Sequence, residues 1–453
     1  MPVTGCNGPS NKSNIPELIS PIEFSGLMSA ADPFETGETI AVAVSGGADS
    51  LALLILATDW AAARKISLNA LTVDHGLRAD SADEAALVGR WCREMEISHH
   101  ILCWTGEKPA YGIQAAARRV RYALLEDWCV RHGVGDLLVA HTENDQAETF
   151  LLRMSRGSGP NGLAAMPLVS KRDRIRIVRP FLAVGRARLE ATVRASGYSW
   201  VEDPGNKDRR FARVRMRERL NELAEQGIGP ASIAGTARIF GRLRLAREQR
   251  IADLANNLVT LYPEGYAFVD RQGLIAADPE IAAAMVAALV TQIGGREYAP
   301  KRLRSARLFD FLSDPCRIGT RTLGNCIISV NETEVRLYRE YETISDTVAV
   351  CCSCQVVWDN RFLINLKPSN APLDSVISAL GRDGWEAIAA DISEQNRRIP
   401  GPSRYSLPAI RRGTNILQVW HLGYRSSQIL ENIVENAVCR PRSPISGPLF
   451  WVA

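Results

Sequence analysis

From Thr39 to Phe150 the spacing of apolar positions switches back and forth between a period of two and one near 3.6, the mark of strands alternating with helices. The pattern predicts strands over Ile40–Val44, Leu68–Val73, Ser98–Cys103 and Asp136–Ala140, and helices over Ser50–Ala63, Ser81–Met95, Gln114–His132 and Asp145–Arg156. Such alternation implies right-handed crossovers and a doubly wound, mostly parallel α/β sheet. Ligands of such sheets sit beyond the carboxyl ends of the strands, so the turns after Val44, Val73 and Ala140 are expected to face one crevice.

Past Leu220 the apolar spacing becomes helical, then two short strands are predicted around Asn331, and a proline-rich tail carries brief β-like stretches such as "ILQVWHL". The expected organisation is a disordered tail over residues 1–35 and an α/β domain over 36–219. A mainly helical domain follows over 220–345, then a small β or α+β domain over 355–453. The opening residues lack a basic start followed by an apolar block, and no apolar run reaches the roughly 18 residues of a membrane span. A cytoplasmic protein, monomeric or homodimeric and not bound to membrane, is the expectation.

Net charge is only +4 over 453 residues, but between Lys171 and Arg219 there are 15 Lys and Arg against 6 Asp and Glu. So dense a surplus favours a polyanion, because each neutralised phosphate releases counterions; a solvated basic helix face is the alternative for this stretch taken alone. The ten cysteines are scattered and read as reduced thiols. "CCSC" (Cys351–Cys354) holds one CxxC pair with no second pair nearby, too few ligands for a four-cysteine zinc site.

The candidate chemistry begins at "AVAVSGGADSLALL" (Ala41–Leu54), a glycine turn leaving a strand and entering a helix. Such a junction exposes backbone N–H groups at the positive end of a helix and suits phosphate. Gly46 and Gly47 permit positive φ and close approach, while Ser45 and Ser50 add hydroxyl donors. Asp49 either caps the helix or helps to hold Mg²⁺ beside the phosphates. Neither GxxxxGK[ST] nor GxGxxG is present in this stretch. After the fourth strand, His141, Asp145 and Glu148 have the spacing to converge once a helix starts; the plainer reading is an N-cap with an acidic first turn.

"SGGADS" (Ser45, Gly46, Gly47, Ala48, Asp49, Ser50) resembles the signature of the PP-loop pyrophosphatases, which cleave ATP between its α- and β-phosphates. Four further stretches follow in order: "VDHGLR" (Val73–Arg78), "AARRVRY" (Ala116–Tyr122), "AHTENDQAET" (Ala140–Thr149) and "RGSGPNGLAAM" (Arg156–Met166). With "EDPGNKDRRFARVRMR" (Glu202–Arg217), the series resembles the tRNA(Ile)-lysidine synthetases over about residues 38–220.

That resemblance implies adenylation of O2 of the wobble cytidine in a CAU anticodon, followed by displacement of AMP by the ε-amine of free L-lysine. It implies ATP held by Ser45–Ser50 with Asp74 and His75, and Mg²⁺ held by Asp49 and Asp145. Catalytic roles fall to Asp49, His141, Asp145, Glu148 and Arg118, and contacts to tRNA to Arg121, Arg156, Arg209, Arg213, Arg215 and Arg217. Whether Asp145 and Glu148 grip the metal or the lysine ammonium stays open. The sequence departs from the family pattern at Thr142 and Asn144, where a second histidine and another aspartate are usual, and at Gly205, usually serine or threonine. A second basic stretch, "YAPKRLRSARLFDFL" (Tyr298–Leu312), reads equally as an RNA brace or an amphipathic helix. A tRNA thiolase sharing the loop would need paired cysteines or an iron–sulfur cluster, and Cys92, Cys103 and Cys129 form no CxxC pair.

Overall fold

The computed structural model describes residues 16–31, 34, 38–77, 81–109, 111–172, 175–201, 212–350, 355–441, 444–445 and 450–452. It divides into two compact units, Met1–Leu245 with Phe450–Ala453, and Ala246–Leu449. The first unit is built on β1 (Thr39–Ala43), β2 (Ser67–Asp74), β3 (Ser98–Cys103), β4 (Asp136–Leu138), β5 (Val169–Lys171) and β6 (Arg176–Val178). They lie in the order β3-β2-β1-β4-β6-β5, parallel throughout except for β5 against β6. The doubly wound α/β sheet is therefore present, and its order reverses between β1 and β4, so the crevice opens beyond those two carboxyl ends.

Alternation along β1 feeds two cores. Ile40 and Val42 point into one with α2 (Ala48–Arg64), while Ala41 points into the other with Tyr122, Leu125 and Trp128 of α4 (Ile113–Arg131). Helix α2 has no internal Gly or Pro and ends where Lys65 turns left-handed at φ 58°. Its Leu51, Leu53 and Leu54 are fully buried, worth about 1.5–3 kcal/mol each. α3 (Ser81–Glu94) packs beside β2 and β3, and α5 (Glu143–Ser155), α6 (Pro160–Leu163), α7 (Arg186–Ala195), α8 (Ala212–Glu225) and α9 (Pro230–Leu258) follow in order.

The β5–β6 hairpin is absent from the sequence expectation because each strand has only three residues, too few to show a period. The expected tail is corrected over Pro21–Ser29, which form a helix, α1, capped by Ser20. Phe24 and Met28 are buried against the first core, and Arg188 grips Glu23 at 2.7 Å, so this segment contributes apolar surface that its polar surroundings in sequence conceal.

In the second unit β7 (Val259–Leu261), β8 (Ala267–Asp270), β9 (Gly319–Leu323), β10 (Cys326–Val330) and β11 (Glu334–Arg339) form an antiparallel sheet in the order β7-β8-β11-β10-β9. Helices α10 (Arg271–Ala276), α11 (Pro279–Ile293) and α12 (Arg302–Ser313) share its core. The two strands expected around Asn331 are β10 and β11. Asn331 Oδ1 accepts from the N–H groups of Thr333 (2.9 Å) and Glu334 (2.7 Å), which sets the turn. The tail forms a five-stranded and a three-stranded antiparallel sheet with short helices at Gly381–Ile388 and Gly401–Tyr405, an α+β arrangement.

Candidate active site

The turn from β1 into α2 is held by its own serines. Ser50 Oγ donates to Gly47 O (3.0 Å) and accepts from Ser45 N–H (3.1 Å), with Ser45 Oγ at 3.2 Å from Ser50 Oγ. Ser50 therefore shapes the loop, since its one proton is already committed within it. Gly46 has φ +82°, the left-handed region, and its carbonyl accepts from Val201 N–H at 2.9 Å; glycine is needed for conformation, because a Cβ would meet only ordinary contacts. Among the described residues no side chain caps α2 at Gly47, which leaves the N–H groups of its first turn suited to an external acceptor.

Asp49 lies in that first turn. Its Oδ1 is shut off from solvent and accepts no hydrogen bond from the described residues, with Arg186 Nε at 3.8 Å. Burial pushes its carboxyl up to about 6, the negative charges of Asp145 and Glu190 push the same way, and Arg186 and Arg217 oppose them. Asp145 opens α5 in a reciprocal capping box: Thr142 N–H donates to Asp145 Oδ2 at 2.9 Å, and Asp145 N–H donates to Thr142 Oγ1 at 3.4 Å. Thr142, which stands where the family usually has histidine, is thus the helix cap. Asn144 Oδ1 accepts from Arg186 N–H (3.3 Å) and so ties the start of α7 to the start of α5.

Glu148 is 2% exposed and accepts from Arg217 Nε of α8 at 2.9 Å, while its Oε2 is buried without a partner among the described residues. Burial raises its carboxyl, with Asp145 adding and Arg217 opposing. His141 is buried, its Nδ1 unpartnered among the described residues, and burial together with Arg179, Arg118, Arg121 and Arg213 holds it well below its usual range and neutral.

Positive charges gather around Tyr122. The guanidiniums of Arg118, Arg121 and Arg172 lie 5.2, 5.3 and 4.9 Å from its ring centre. Arg118 is lowered by burial first, then by Arg213 and Arg121, while Tyr122 and Asp145 oppose this. Asp74 Oδ1 accepts from Gly76 N–H (2.8 Å), which makes the turn after β2, and His75 is lowered by burial and by Arg121.

The structure thus brings Asp49, Asp145, Glu148, Arg217 and Arg213 into one another's field, and His75, Arg121, Arg118 and His141 into a connected group beside them. Arg156 is exposed as the C-cap of α5, apart from these contacts, and Arg215 is exposed on α8. Arg209, Arg78, Asp203, Gly205, Asn206 and Cys351–Cys354 lie outside the described residues. Cys92 and Cys129 are buried, with thiols pushed up to about 11 and about 12, the wrong direction for reactive thiolates.

Sequence reasoning missed Arg179 and Arg186. Arg179 is 7% exposed, bonded through Nη1 to Pro167 O (3.0 Å) and Ser170 Oγ (2.5 Å), and lowered to about 10 by burial. Its signal was a lone arginine in the apolar run "IVRPFL"; that of Arg186 was its place just after Gly185 at a helix start.

A family model described as a PP-loop domain matches residues 19–224. The tRNA(Ile)-lysidine synthase of Ruegeria pomeroyi is 36% identical over 378 residues, covering 83% of this chain and 87% of that protein. The enzyme of the same name from Wolbachia pipientis wMel is 31% identical over 87% of this chain and 91% of its own length. That from a Bradyrhizobium species is 43% identical over 53% of this chain and 68% of its own. With likeness running through both compact units and the glycine turn, capped α5 and α8 arginines in place, the chain belongs to the tRNA(Ile)-lysidine synthase family.

Proposed function

We propose that this chain converts the wobble cytidine of CAU-anticodon tRNA(Ile) to lysidine with ATP and free L-lysine, changing the codon read from AUG to AUA. The observation that carries the reading is the uncapped turn at Gly46 and Gly47. Its N–H groups lie beside Asp49, which feels Arg186, Asp145, Glu190 and Arg217, and Asp145 in turn acts on Glu148 and Arg118. The β- and γ-phosphates rest on the turn, and Asp74 and His75 at the end of β2 face the nucleoside. Cytosine O2 bonds to the α-phosphorus as the bond to the β-phosphate oxygen breaks and pyrophosphate leaves. The lysine ε-amine then bonds to C2, AMP departs with O2, and the amine loses a proton.

Glu148 holds the ammonium and takes that proton through Oε2 in this reading; the raised proton affinity that burial gives it and the lack of a partner for Oε2 among the described residues support the role. Arg118, Arg121 and Arg213 hold RNA and nucleotide phosphates with planar forks, Arg217, Arg215 and Arg156 extend the basic surface toward the tRNA, and Arg209 is assigned to the tRNA from the sequence resemblance alone. Neutral His141 serves as a hydrogen-bonding group, not a cation. Among the described residues no three His, Cys, Asp or Glu form a protein-only metal site. The partnerless Asp49 Oδ1 together with Asp145 fits Mg²⁺, an ion that draws its other ligands from phosphate and water; bound there it neutralises phosphate charge. We place the monomeric or homodimeric enzyme in the cytoplasm; no described helix is long and apolar enough to cross a membrane.

The test supplies purified protein with ATP, labelled lysine and CAU-anticodon tRNA(Ile). Label enters the RNA only when ATP is present; RNA that stays unlabelled refutes the reading.

A further inference from the structure

Arg186 begins α7, and its backbone is fixed from several sides. Its N–H donates to Asn144 Oδ1 at 3.3 Å, Glu143 N–H donates to Val184 O at 3.1 Å, and Leu189 and Val193 of the same helix are fully buried in the core shared with α2. The side chain is less settled. Nε lies 3.3 Å from Glu190 Oε1 and 3.8 Å from Asp49 Oδ1, and among the described residues the guanidinium makes no hydrogen bond. Both Nε and Asp49 Oδ1 are shut off from solvent. The two side chains as a whole remain 37% and 24% exposed, so the rest of the guanidinium fork is open to a ligand while Nε faces Asp49 without closing to hydrogen-bond distance. A cation and a carboxylate held apart at the mouth of a donor-rich turn have the form of a site that a third, anionic group completes.

We propose that Arg186 is a nucleotide-binding residue: it donates to the β- and γ-phosphates of ATP held on the Gly46 turn and keeps Asp49 in place beside them. This rests on the reading of that turn as the ATP phosphate site. A guanidinium fork matches two phosphate oxygens, and a fixed cation there stabilises the charge that builds on pyrophosphate as it leaves.

Calorimetric titration of the full chain with MgATP, magnesium pyrophosphate and AMP tests it on wild type, Arg186→Ala and Arg186→Lys. Loss of a charge-assisted contact weakens ATP and pyrophosphate binding to Arg186→Ala at least about tenfold while AMP changes by less than about twofold. Arg186→Lys recovers part of the pyrophosphate affinity, and tRNA binding stays at the wild-type value. ATP and pyrophosphate bound by Arg186→Ala as tightly as by wild type overturns the inference alone. AMP weakened as much as ATP also overturns it, since that marks a general structural role. A wild-type chain that binds neither ATP nor pyrophosphate overturns the reading of the turn and this inference with it. Should Arg186→Ala fail to fold, Arg186→Gln carries the same comparison.

Discussion

Asp49 shows at the scale of one residue how a functional site opposes stability. Its carboxyl has an ordinary value of 3.8 and sits at about 6 in the fold, so the folded chain binds the proton more tightly than the unfolded chain. The resulting stabilisation is complete below pH 3.8 and disappears as pH rises through 6, which leaves at neutral pH a partly buried charge that Arg186 and Arg217 compensate only in part. Asp49→Asn removes that titration. The variant is expected to be more stable than wild type at pH 8 by on the order of 1 kcal/mol, with the difference shrinking toward pH 4, and to release no pyrophosphate. Urea unfolding at the two pH values checks the first part; a difference independent of pH would contradict it. Asp49, Asp145 and Glu148 were legible in sequence because they stand in short motifs beside predicted strand ends. Arg186 was not, since its partner Asp49 is 137 residues earlier and only the α2–α7 packing brings them together.

At the scale of elements, α5 places the acidic residues and Thr142 starts it. Thr142→Ala removes the Oγ1 acceptor for Asp145 N–H, and a lost N-cap of this kind costs about 0.5–2 kcal/mol. Thermal unfolding checks the size, and an unchanged melting temperature would show that the capping box contributes nothing. In the second unit, Asp359 accepts from Arg339 Nε (3.0 Å) and Nη2 (2.8 Å) and from Arg361 Nε (2.6 Å), with all three residues buried. Asp359→Asn leaves two buried guanidiniums without a counterion, and breaking such a cluster costs about 3–5 kcal/mol. A chemical denaturation midpoint close to wild type would sink that expectation. The long elements of the first unit were readable because their periods persist over five to nineteen residues. β5, β6 and β7, three residues each, gave no period to read, and α1 sat next to polar sequence that masked its buried face.

For the whole molecule, sequence alone carried the α/β sheet, the family and the placing of basic charge after the first third. It carried less of the second unit, where antiparallel sheets are assembled from short strands distant in sequence, as when β8 pairs with β11. The basic row on α8 implies salt-dependent RNA binding. Arg213→Ala should lower the slope of log affinity against log salt by about 1, and an unchanged slope would place Arg213 off the RNA.

The central claim is that the Gly46 turn presents the inner phosphorus of ATP to an RNA oxygen. Nucleotide products separated after incubation of the protein with MgATP, lysine and CAU-anticodon tRNA(Ile) test this most directly. The account predicts AMP and pyrophosphate in equal amounts, matched to lysine incorporated and lost in Asp49→Asn; ADP and phosphate, or no turnover of ATP at all, would contradict it.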